Sequence, residues 1–178
     1  MEITAGILIE YLAMPLALMI SYFFEAIVDF INEQLCADTS RIYIIGFSTS
    51  AFLSYGIGCR YPDLIAGIGS DSGGLSHSYL ETCRSEAGAV PVQSFHSLDD
   101  PTVPFNGTSA WAGQEAVDEM WRQKNGCDGT EAPTVSYKSL TTACQLWNCP
   151  DAPVDSRVLK DIDHCCLVAD PVGFLCVK

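Results

Sequence analysis

The chain has 178 residues, nearly half of them apolar, and it carries a formal net charge of −13. This length fits one domain with a sizeable core, and the apolar content excludes an intrinsically disordered chain. The acidic balance argues against nucleic acid or an anionic membrane as a partner, because both require a basic protein surface.

Residues 1–21 belong to an apolar segment of uncertain status. Ala5 to Phe24 is almost continuously apolar and is broken by Glu10 and Pro15. A secretory signal begins with basic residues, which are absent before Ala5, and the charge of Glu10 is costly inside a membrane. We expect buried structure or the start of an incomplete chain here, with a signal-like or membrane segment as the alternative.

An amphipathic helix is predicted from Tyr22 to Leu35. Apolar residues recur there at helical spacing with polar residues between them, so one face should lie on a sheet. The apolar positions are Phe23, Ile27, Phe30, Ile31 and Leu35. Asp38-Thr39-Ser40 then predicts a turn that leads into the next strand.

The stretch after this turn has the pattern of a nucleophile elbow. Ile42 to Ile45 predicts a buried strand, Gly46-Phe47-Ser48-Thr49-Ser50 a sharp turn, and the residues up to about Cys59 a helix. In such a G-x-S-x-small pattern the turn exposes the serine hydroxyl, and small residues let strand and helix approach closely. The alternative is a buried core strand followed by a serine-rich turn. The helix should stop before Tyr61-Pro62-Asp63, because proline disfavours helix in the residue before it.

The rest of the chain alternates between predicted strands and helices. The predicted elements are strands at Leu64 to Ser70, Val90 to His96, Val135 to Leu140 and Val154 to Ile162, and a helix at Ser109 to Lys124. Asn125-Gly126 closes that helix, and a hairpin from Cys144 to Cys149 lies between the last two strands. This alternation predicts an α/β fold, with a mostly parallel sheet that helices cover on both faces. Ligands of such sheets bind beyond the carboxyl ends of the strands.

Nine cysteines are many for a chain of this length. No C-x-x-C pair is present and the three histidines are scattered, so the sequence predicts disulfides rather than a zinc site. Disulfides, together with the glycosylation sequon Asn106-Gly107-Thr108, favour an extracellular, oxidising compartment. The odd count leaves at least one thiol unpaired within the chain. No metal or organic cofactor is expected.

Three kinds of side chain stand in the order required for serine catalysis. A serine hydroxyl needs a general base, and that base needs a carboxylate that holds its tautomer. The α/β-hydrolase order of serine, acid and histidine is met by Ser48, by Asp100 or Asp99, and by His164. In the alternative interpretation the acid only forms a turn ahead of Pro101, and the histidine is a loop residue packed against cystines.

The choice of histidine follows from its position in the chain. His77 precedes the acids, and His96 lies inside a predicted strand four residues from Asp100. His164 alone comes late enough and follows a predicted strand. We expect His96 to be structural and to hydrogen-bond the loop that carries the acid.

Five motifs of the chain stand in the order of one known group of enzymes. They are Asp38 to Ser48, like D-x-x-R-V-Y-V-x-G-x-S; Cys59 to Asp63, like C-x-Y-P-D; His96 to Gly107, like H-G-x-x-D-x-x-V-P-Y-x-G; Asn125-Gly126-Cys127, like N-G-C; and Asp163-His164-Cys165, like G-H-x-W-P-G. Together they resemble the secreted esterases that group polyhydroxybutyrate depolymerases with feruloyl and acetylxylan esterases. The resemblance runs from about Tyr22 to Cys165.

The resemblance implies a secreted serine carboxylesterase in which residues 22–178 form a partial α/β-hydrolase domain. Its register selects Asp100 from the two acids, with Ser48 as the nucleophile and His164 as the general base. The backbone N–H of Thr49 is the implied oxyanion donor. The implied substrate is a polyester, a feruloyl ester or an acetyl ester, and no cofactor is required. The resemblance gives no oligomeric state.

The chain also departs from the pattern of this group. Glycines of the group are replaced by Ser50, Ala51 and Ser97, and its Trp-Pro-Gly by Cys166-Leu167-Val168. An upstream H-G loop supplies a second oxyanion donor in the group, and nothing before Tyr22 resembles it, so we expect the early strands of the sheet to be missing. These departures motivate a second hypothesis, a non-catalytic remnant that serves as a binding or structural protein. A membrane anchor in residues 5–24 is a third.

Two further expectations concern packing. Cys127 is expected to pair with Cys144 or Cys149, in the hairpin that delivers His164. The tryptophans are expected in the core rather than at a sugar-binding surface; they are Trp111, Trp121 and Trp147.

Overall fold

The computed structural model describes residues 16–164, with side chains from Tyr22 onward. Contacts divide the chain into two units, with the boundary between Ser40 and Arg41. In the first unit, helix α1 spans Leu16–Gln34, which confirms the predicted helix. None of the helices within residues 16–164 is long and apolar enough to cross a membrane. The expectation for residues 1–15 lies outside the described residues.

The buried face of α1 differs from the predicted one. Phe24 and Val28 are buried, whereas Phe23 and Ile27 are 68% and 39% exposed. The buried positions are spaced by four residues, as in any helix face, but they are displaced by one residue from the expected set. The predicted apolar stripe is therefore wrong by one position along the helix.

The second unit is built on a six-stranded mixed sheet of order β1-β2-β3-β6-β5-β4. Its strands are β1 Tyr43–Phe47, β2 Gly67–Asp71, β3 Val92–Ser97, β4 Val135–Lys138, β5 Thr142–Trp147 and β6 Val154–Leu159. The four strands β1, β2, β3 and β6 run parallel, and β4 and β5 add an antiparallel edge. The mostly parallel sheet is confirmed. The carboxyl ends of its four parallel strands meet at one edge.

Three helices accompany this sheet in the described part of the unit: α2 Thr49–Arg60, α3 His77–Ser85 and α4 Gln114–Lys124. Helix α2 lies on β1 and β2, α4 lies on β3 and β6, and α3 contacts both helices. The rings of Tyr55 and Trp121 stack between α2 and α4, so the three helices share one face. On β1, Tyr43 and Ile45 point to the other face and are 60% and 81% exposed. The three helices described within residues 41–164 thus lie on one face of the sheet.

Several boundaries differ from the predicted ones for identifiable reasons. Helix α4 begins at Gln114 rather than Ser109, because Thr108 Oγ1 accepts the backbone N–H groups of residues 110 and 111 and holds them in a turn. Strand β3 begins at Val92 rather than Val90, whose N–H donates to Asn125 Oδ1 and whose carbonyl accepts from the same amide. The hairpin predicted between the last strands is instead β5, a full strand of the sheet.

Within the described part of the second unit, residues 41–164, two disulfides join secondary-structure elements. Cys59–Cys83 links α2 to the end of α3, and Cys127–Cys149 links the turn after α4 to the segment before β6. Of the two expected partners for Cys127, the structure selects Cys149. Cys144 is buried on β5. Trp121 and Trp147 are in the core as expected, and Trp111 is half-buried.

Candidate active site

The predicted elbow is present at the carboxyl end of β1. Ser48 lies between β1 and α2 with φ 54° and ψ −121°, a left-handed conformation that is strained for a residue with a side chain. Its N–H donates to Asp71 O at 2.9 Å, so the next parallel strand holds the turn in place. Gly46 makes the turn sterically allowed, because a Cβ there would lie 2.1 Å from the carbonyl oxygen of Ser50.

The two departures after the nucleophile fit this turn. Ala51 is fully buried, and its Cβ faces Gly73, where a second Cβ would come within 2.5 Å of it. Gly73, in the loop after β2, therefore leaves room for the Ala51 side chain. Ser50 is exposed, so its extra hydroxyl meets solvent rather than the sheet. Neither substitution distorts the elbow.

Asp100 lies in the loop after β3 and is enclosed by its own turn. Its Oδ1 accepts the backbone N–H groups of Thr102 and Val103, both at 2.8 Å. The residue is 4% exposed, which leaves Oδ2 directed away from solvent. Burial acts to raise the pKa of Asp100, but hydrogen bonds from His164, Val103 and Thr102 and the attraction of His164 outweigh it, so this pKa lies below its ordinary value.

His164 lies beyond β6 and bridges the other two residues. Its Nδ1 is 2.8 Å from Asp100 Oδ2, and its Nε2 is 2.8 Å from Ser48 Oγ. The imidazole packs against the Phe47 ring at a centroid distance of 5.1 Å, and its side chain is 14% exposed. The structure therefore brings together the serine, the acid and the histidine that the sequence singled out. Asp99, the alternative acid, does not contact His164.

The loops that carry Asp100 and His164 are tied to each other. Ser97 Oγ donates to the carbonyl of Ile162 and accepts the N–H of Asp99 at 3.2 Å. The carboxylate of Asp99 accepts the N–H of Asp161 at 3.0 Å. Ser97 replaces a glycine of the resembled group, and Asp99 was predicted only as the alternative acid, so the sequence predicted neither contact. Their only sequence signal is adjacency to the acid.

The predicted oxyanion donor, the N–H of Thr49, lies at the start of α2. Thr49 is the first residue of α2, and N–H groups in the first turn of a helix have no acceptor within the helix. These groups also carry the positive end of the helix dipole, which favours negative charge nearby. Thr49 is exposed and adjoins the half-buried Ser48.

A buried polar cluster behind Asp100 was not predicted. His96, Gln114 and Asp118 are joined by hydrogen bonds, and only His96 was expected to contact the acid loop. Gln114 and Asp118 are polar residues on a predicted helix, and such residues are normally solvated. Within residues 16–164, no group of three or more histidines, cysteines and acids is arranged to hold a metal.

Known proteins similar to this chain include esterases. The profile of the phospholipase/carboxylesterase family matches residues 19–143. A probable feruloyl esterase C of Aspergillus oryzae is 26% identical over 106 residues, which are 60% of this chain and 36% of that protein. A poly(3-hydroxybutyrate) depolymerase of Ralstonia pickettii is 32% identical over 85 residues, 48% of this chain and 16% of the depolymerase. The chain thus spans about a third or less of the length of these relatives.

Solved structures share the fold. The acetyl xylan esterase of Aspergillus awamori superposes with a TM-score of 0.65 at 15% identity, over 81% of this chain and 61% of the other. Esterase PE8 superposes with a TM-score of 0.59 at 17% identity, over 87% of this chain and 56% of the other. These likenesses confirm the predicted α/β-hydrolase architecture. Since the family profile covers well over half of the sequence, the chain belongs to the phospholipase/carboxylesterase family.

Proposed function

We propose that this chain is a serine carboxylesterase with Ser48 as nucleophile, His164 as general base and Asp100 as the acid that orients it. The observation that carries the proposal is the unbroken series of hydrogen bonds from Ser48 Oγ through His164 to Asp100. A serine hydroxyl is a weak nucleophile, and this arrangement supplies the base and the orienting carboxylate that it needs.

The geometry supports the following steps. His164 Nε2 accepts the Oγ proton while Ser48 attacks the ester carbonyl, and the same nitrogen then donates the proton to the leaving alcohol. Asp100 accepts the Nδ1–H and stabilises the imidazolium. The N–H of Thr49 faces the oxyanion of the tetrahedral intermediate. Water repeats the sequence on the acyl-enzyme and releases the acid.

The substrate class is proposed from the relatives. Those with the names feruloyl esterase C and poly(3-hydroxybutyrate) depolymerase point to esters of plant cell walls or polyesters, and the group that the motifs resemble adds acetyl esters. The two disulfides favour an oxidising compartment, so we propose an extracellular protein.

Hydrolysis of p-nitrophenyl acetate and butyrate tests the activity. The wild-type chain should turn over both esters, and Ser48→Ala should lose at least about 10³-fold in kcat/KM. Ser50→Ala is the matched control, since this exposed serine lies two residues away and outside the hydrogen-bonded series. Equal rates for wild type and Ser48→Ala would refute the assignment.

A second candidate is a non-catalytic member of the fold that binds a ligand or partner. The observation in its favour is that β1 is an edge strand of the described sheet, so neighbouring loops flank Ser48 on one side. A fluorophosphonate probe separates the candidates. An active site labels Ser48, and labelling disappears in Ser48→Ala but persists in Ser50→Ala, whereas a non-catalytic chain is not labelled.

A further inference from the structure

Behind Asp100, three buried polar side chains connect β3 to α4. His96 lies on β3, and Gln114 and Asp118 lie one turn apart on α4; they are 2%, 2% and 6% exposed. His96 Nδ1 is 3.1 Å from Gln114 Oε1, and Gln114 Nε2 donates to Asp118 Oδ1 at 2.9 Å. Polar groups this deeply buried require hydrogen-bond partners of the correct kind.

His96 is also the anchor of the loop that carries Asp100. Its Nε2 lies 2.7 Å from the carbonyl oxygen of Val103, the residue whose N–H donates to Asp100 Oδ1. The same nitrogen lies 3.7 Å from Asp100 Oδ2. Because a carbonyl oxygen only accepts hydrogen bonds, Nε2 of His96 must carry a proton. The Phe105 ring packs edge-on against the imidazole and offers no acceptor.

The observed orientation of the Gln114 amide makes His96 an imidazolium. The amide nitrogen donates to Asp118 and, at 3.1 Å, to the Tyr55 hydroxyl, so the amide oxygen faces Nδ1 of His96. An amide oxygen accepts only, so Nδ1 must carry a proton as well as Nε2. Asp118 is then the matching carboxylate, and it also accepts from Ser94 Oγ at 2.9 Å and Ser156 Oγ at 2.6 Å.

A half-turn of the Gln114 amide gives the other arrangement. The amide nitrogen now donates to Nδ1, so His96 is a neutral imidazole with its proton on Nε2. The amide oxygen then faces Asp118 Oδ1, and this contact is favourable only when Asp118 is protonated. Burial raises the pKa of Asp118 above its ordinary value, although hydrogen bonds from Ser156, Ser94 and Gln114 and the charge of Arg122 oppose the shift.

Both arrangements contain the same number of protons. We propose that His96, Gln114 and Asp118 share one buried proton, beyond those of a neutral imidazole and an ionised carboxylate, and that this neutral unit positions Asp100 through His96. Without that proton, the buried unit would carry a net negative charge, which burial disfavours. The positioning role rests on the proposed function, whereas the proton count does not.

The remaining groups that face the unit do not change the count. Burial raises the pKa of Tyr55, so its hydroxyl keeps its proton and serves as a neutral partner of Gln114. Ser94 and Ser156 are neutral donors. The charged neighbours are Arg122, on the same helix as Asp118, and Asp100, which already accepts from His164 and two backbone N–H groups.

Nuclear magnetic resonance of the full chain at neutral pH tests the proton count. The ¹⁵N shifts of the His96 ring and the ¹³C shift of the Asp118 carboxyl are assigned with His96→Gln and Asp118→Asn. We expect an imidazolium with a carboxylate, a neutral imidazole with a carboxylic acid, or an exchange average of the two. A neutral imidazole beside a carboxylate, or an imidazolium beside a carboxylic acid, would overturn the proposal.

The positioning role is tested by two substitutions at His96. The amide nitrogen of Gln reaches the place of Nε2 and can still donate to the Val103 carbonyl, whereas the side chain of Asn ends at the place of Nδ1. His96→Asn should lower kcat by about 10²-fold with little change in KM, and His96→Gln should recover much of the loss. The low-field proton resonance of His164 Nδ1 should disappear in the Asn variant and remain in the Gln variant.

The outcomes distinguish the positioning role of His96, which rests on the proposed function, from the proton count, which does not. Equal kcat values for the two variants, or a low-field resonance that survives in His96→Asn, would overturn the positioning role. A wild-type chain without esterase activity would refute the proposed function instead, and the resonance measurements would still decide the proton count and the contact between His164 and Asp100.

Discussion

The elbow and the paired loops of the candidate site are held in different ways. The elbow is set within a few residues, because Gly46 admits the close turn and Ser48 adopts the left-handed backbone between β1 and α2. Asp100 and His164 are 64 residues apart in the chain, and contacts between their two loops bring them together. Steric fit therefore determines the position of the nucleophile. Polar contacts between residues far apart in the sequence determine the positions of the acid and the base.

The largest effect is expected from the acid in the paired loops. Asp100→Asn should lower kcat by about 10⁴-fold, because an amide in this place no longer holds the histidine in the tautomer that accepts the serine proton. Ester hydrolysis by the purified variant measures this.

Asp99→Asn is the matched control for this substitution. Asp99 accepts from the backbone of Asp161 and does not touch His164, so the loss in kcat should stay within about tenfold. Equal losses in the two variants would show that the loops, rather than the contact of Asp100 with His164, determine the rate.

A substitution at Gly46 should destabilise the elbow by steric overlap rather than by the loss of hydrogen bonds. Gly46→Ala places a Cβ 2.1 Å from the carbonyl of Ser50, and the helix backbone has to shift to make room. We expect about 3 kcal/mol of lost stability, measured by urea unfolding, together with lost labelling of Ser48 by a fluorophosphonate.

Gly56→Ala is the matched control for Gly46→Ala. It tests whether the loss of stability depends on the position of the glycine in the elbow, or whether replacing any nearby glycine has the same effect. Gly56 lies inside α2, and a Cβ there would lie 4.0 Å from its nearest neighbour, the Tyr79 ring. Alanine is the better helix former, so this variant should gain about 0.5–1 kcal/mol. A similar destabilisation in both variants would contradict the steric account of the elbow.

The same contrast explains which parts of the fold follow from the sequence. The strand, turn and helix of the elbow are predictable because each depends on local rules, namely a short apolar run, a glycine and a proline stop. The order of Ser48, Asp100 and His164 is also readable from sequence. Their approach to within 2.8 Å depends on parallel pairing of β3 with β6, which no local pattern encodes.

The missed elements lack a strong local pattern. Helix α3 buries only Leu80 and Cys83 among its nine residues, too few to give a helical period. Strand β5 contains a buried cysteine and pairs antiparallel, so its sequence fits a hairpin equally well. The pair Gln114 and Asp118 is hidden for a different reason, since polar residues on a helix predict a solvated face and here meet partners from β3 and β6.

A smaller effect is expected from the link between the two loops. Ser97→Ala removes the hydroxyl that donates to the carbonyl of Ile162 and accepts from Asp99. We expect a loss of about 1 kcal/mol in stability and a fall of up to about tenfold in kcat, because His164 follows Ile162 closely in the chain.

Ser85→Ala serves as the control for this loss, since the exposed Ser85 hydroxyl donates only to a carbonyl of its own helix. It should leave kcat unchanged. If Ser97→Ala also left kcat unchanged, the loops would be held without this contact, and the proposed dependence on polar links would be wrong.

The smallest expected effect is on the unfolding free energy at acid pH, and it arises from Asp100 in the loop after β3. Hydrogen bonds to the Asp100 carboxylate lower its pKa in the folded protein below the ordinary value of 3.8, despite burial. The folded state therefore binds the proton less tightly than the unfolded chain, so the stabilising contribution is complete above the unfolded pKa and disappears as the pH falls through the folded pKa. The difference in unfolding free energy between wild type and Asp100→Asn should shrink as the pH is lowered from 5 toward 3, a range chosen around that ordinary pKa. Urea unfolding of both proteins measures it, and titrating groups that do not contact Asp100 cancel because the two chains share them. A difference that grows toward low pH would mean that burial, rather than the hydrogen bonds from His164 and the backbone, dominates at Asp100.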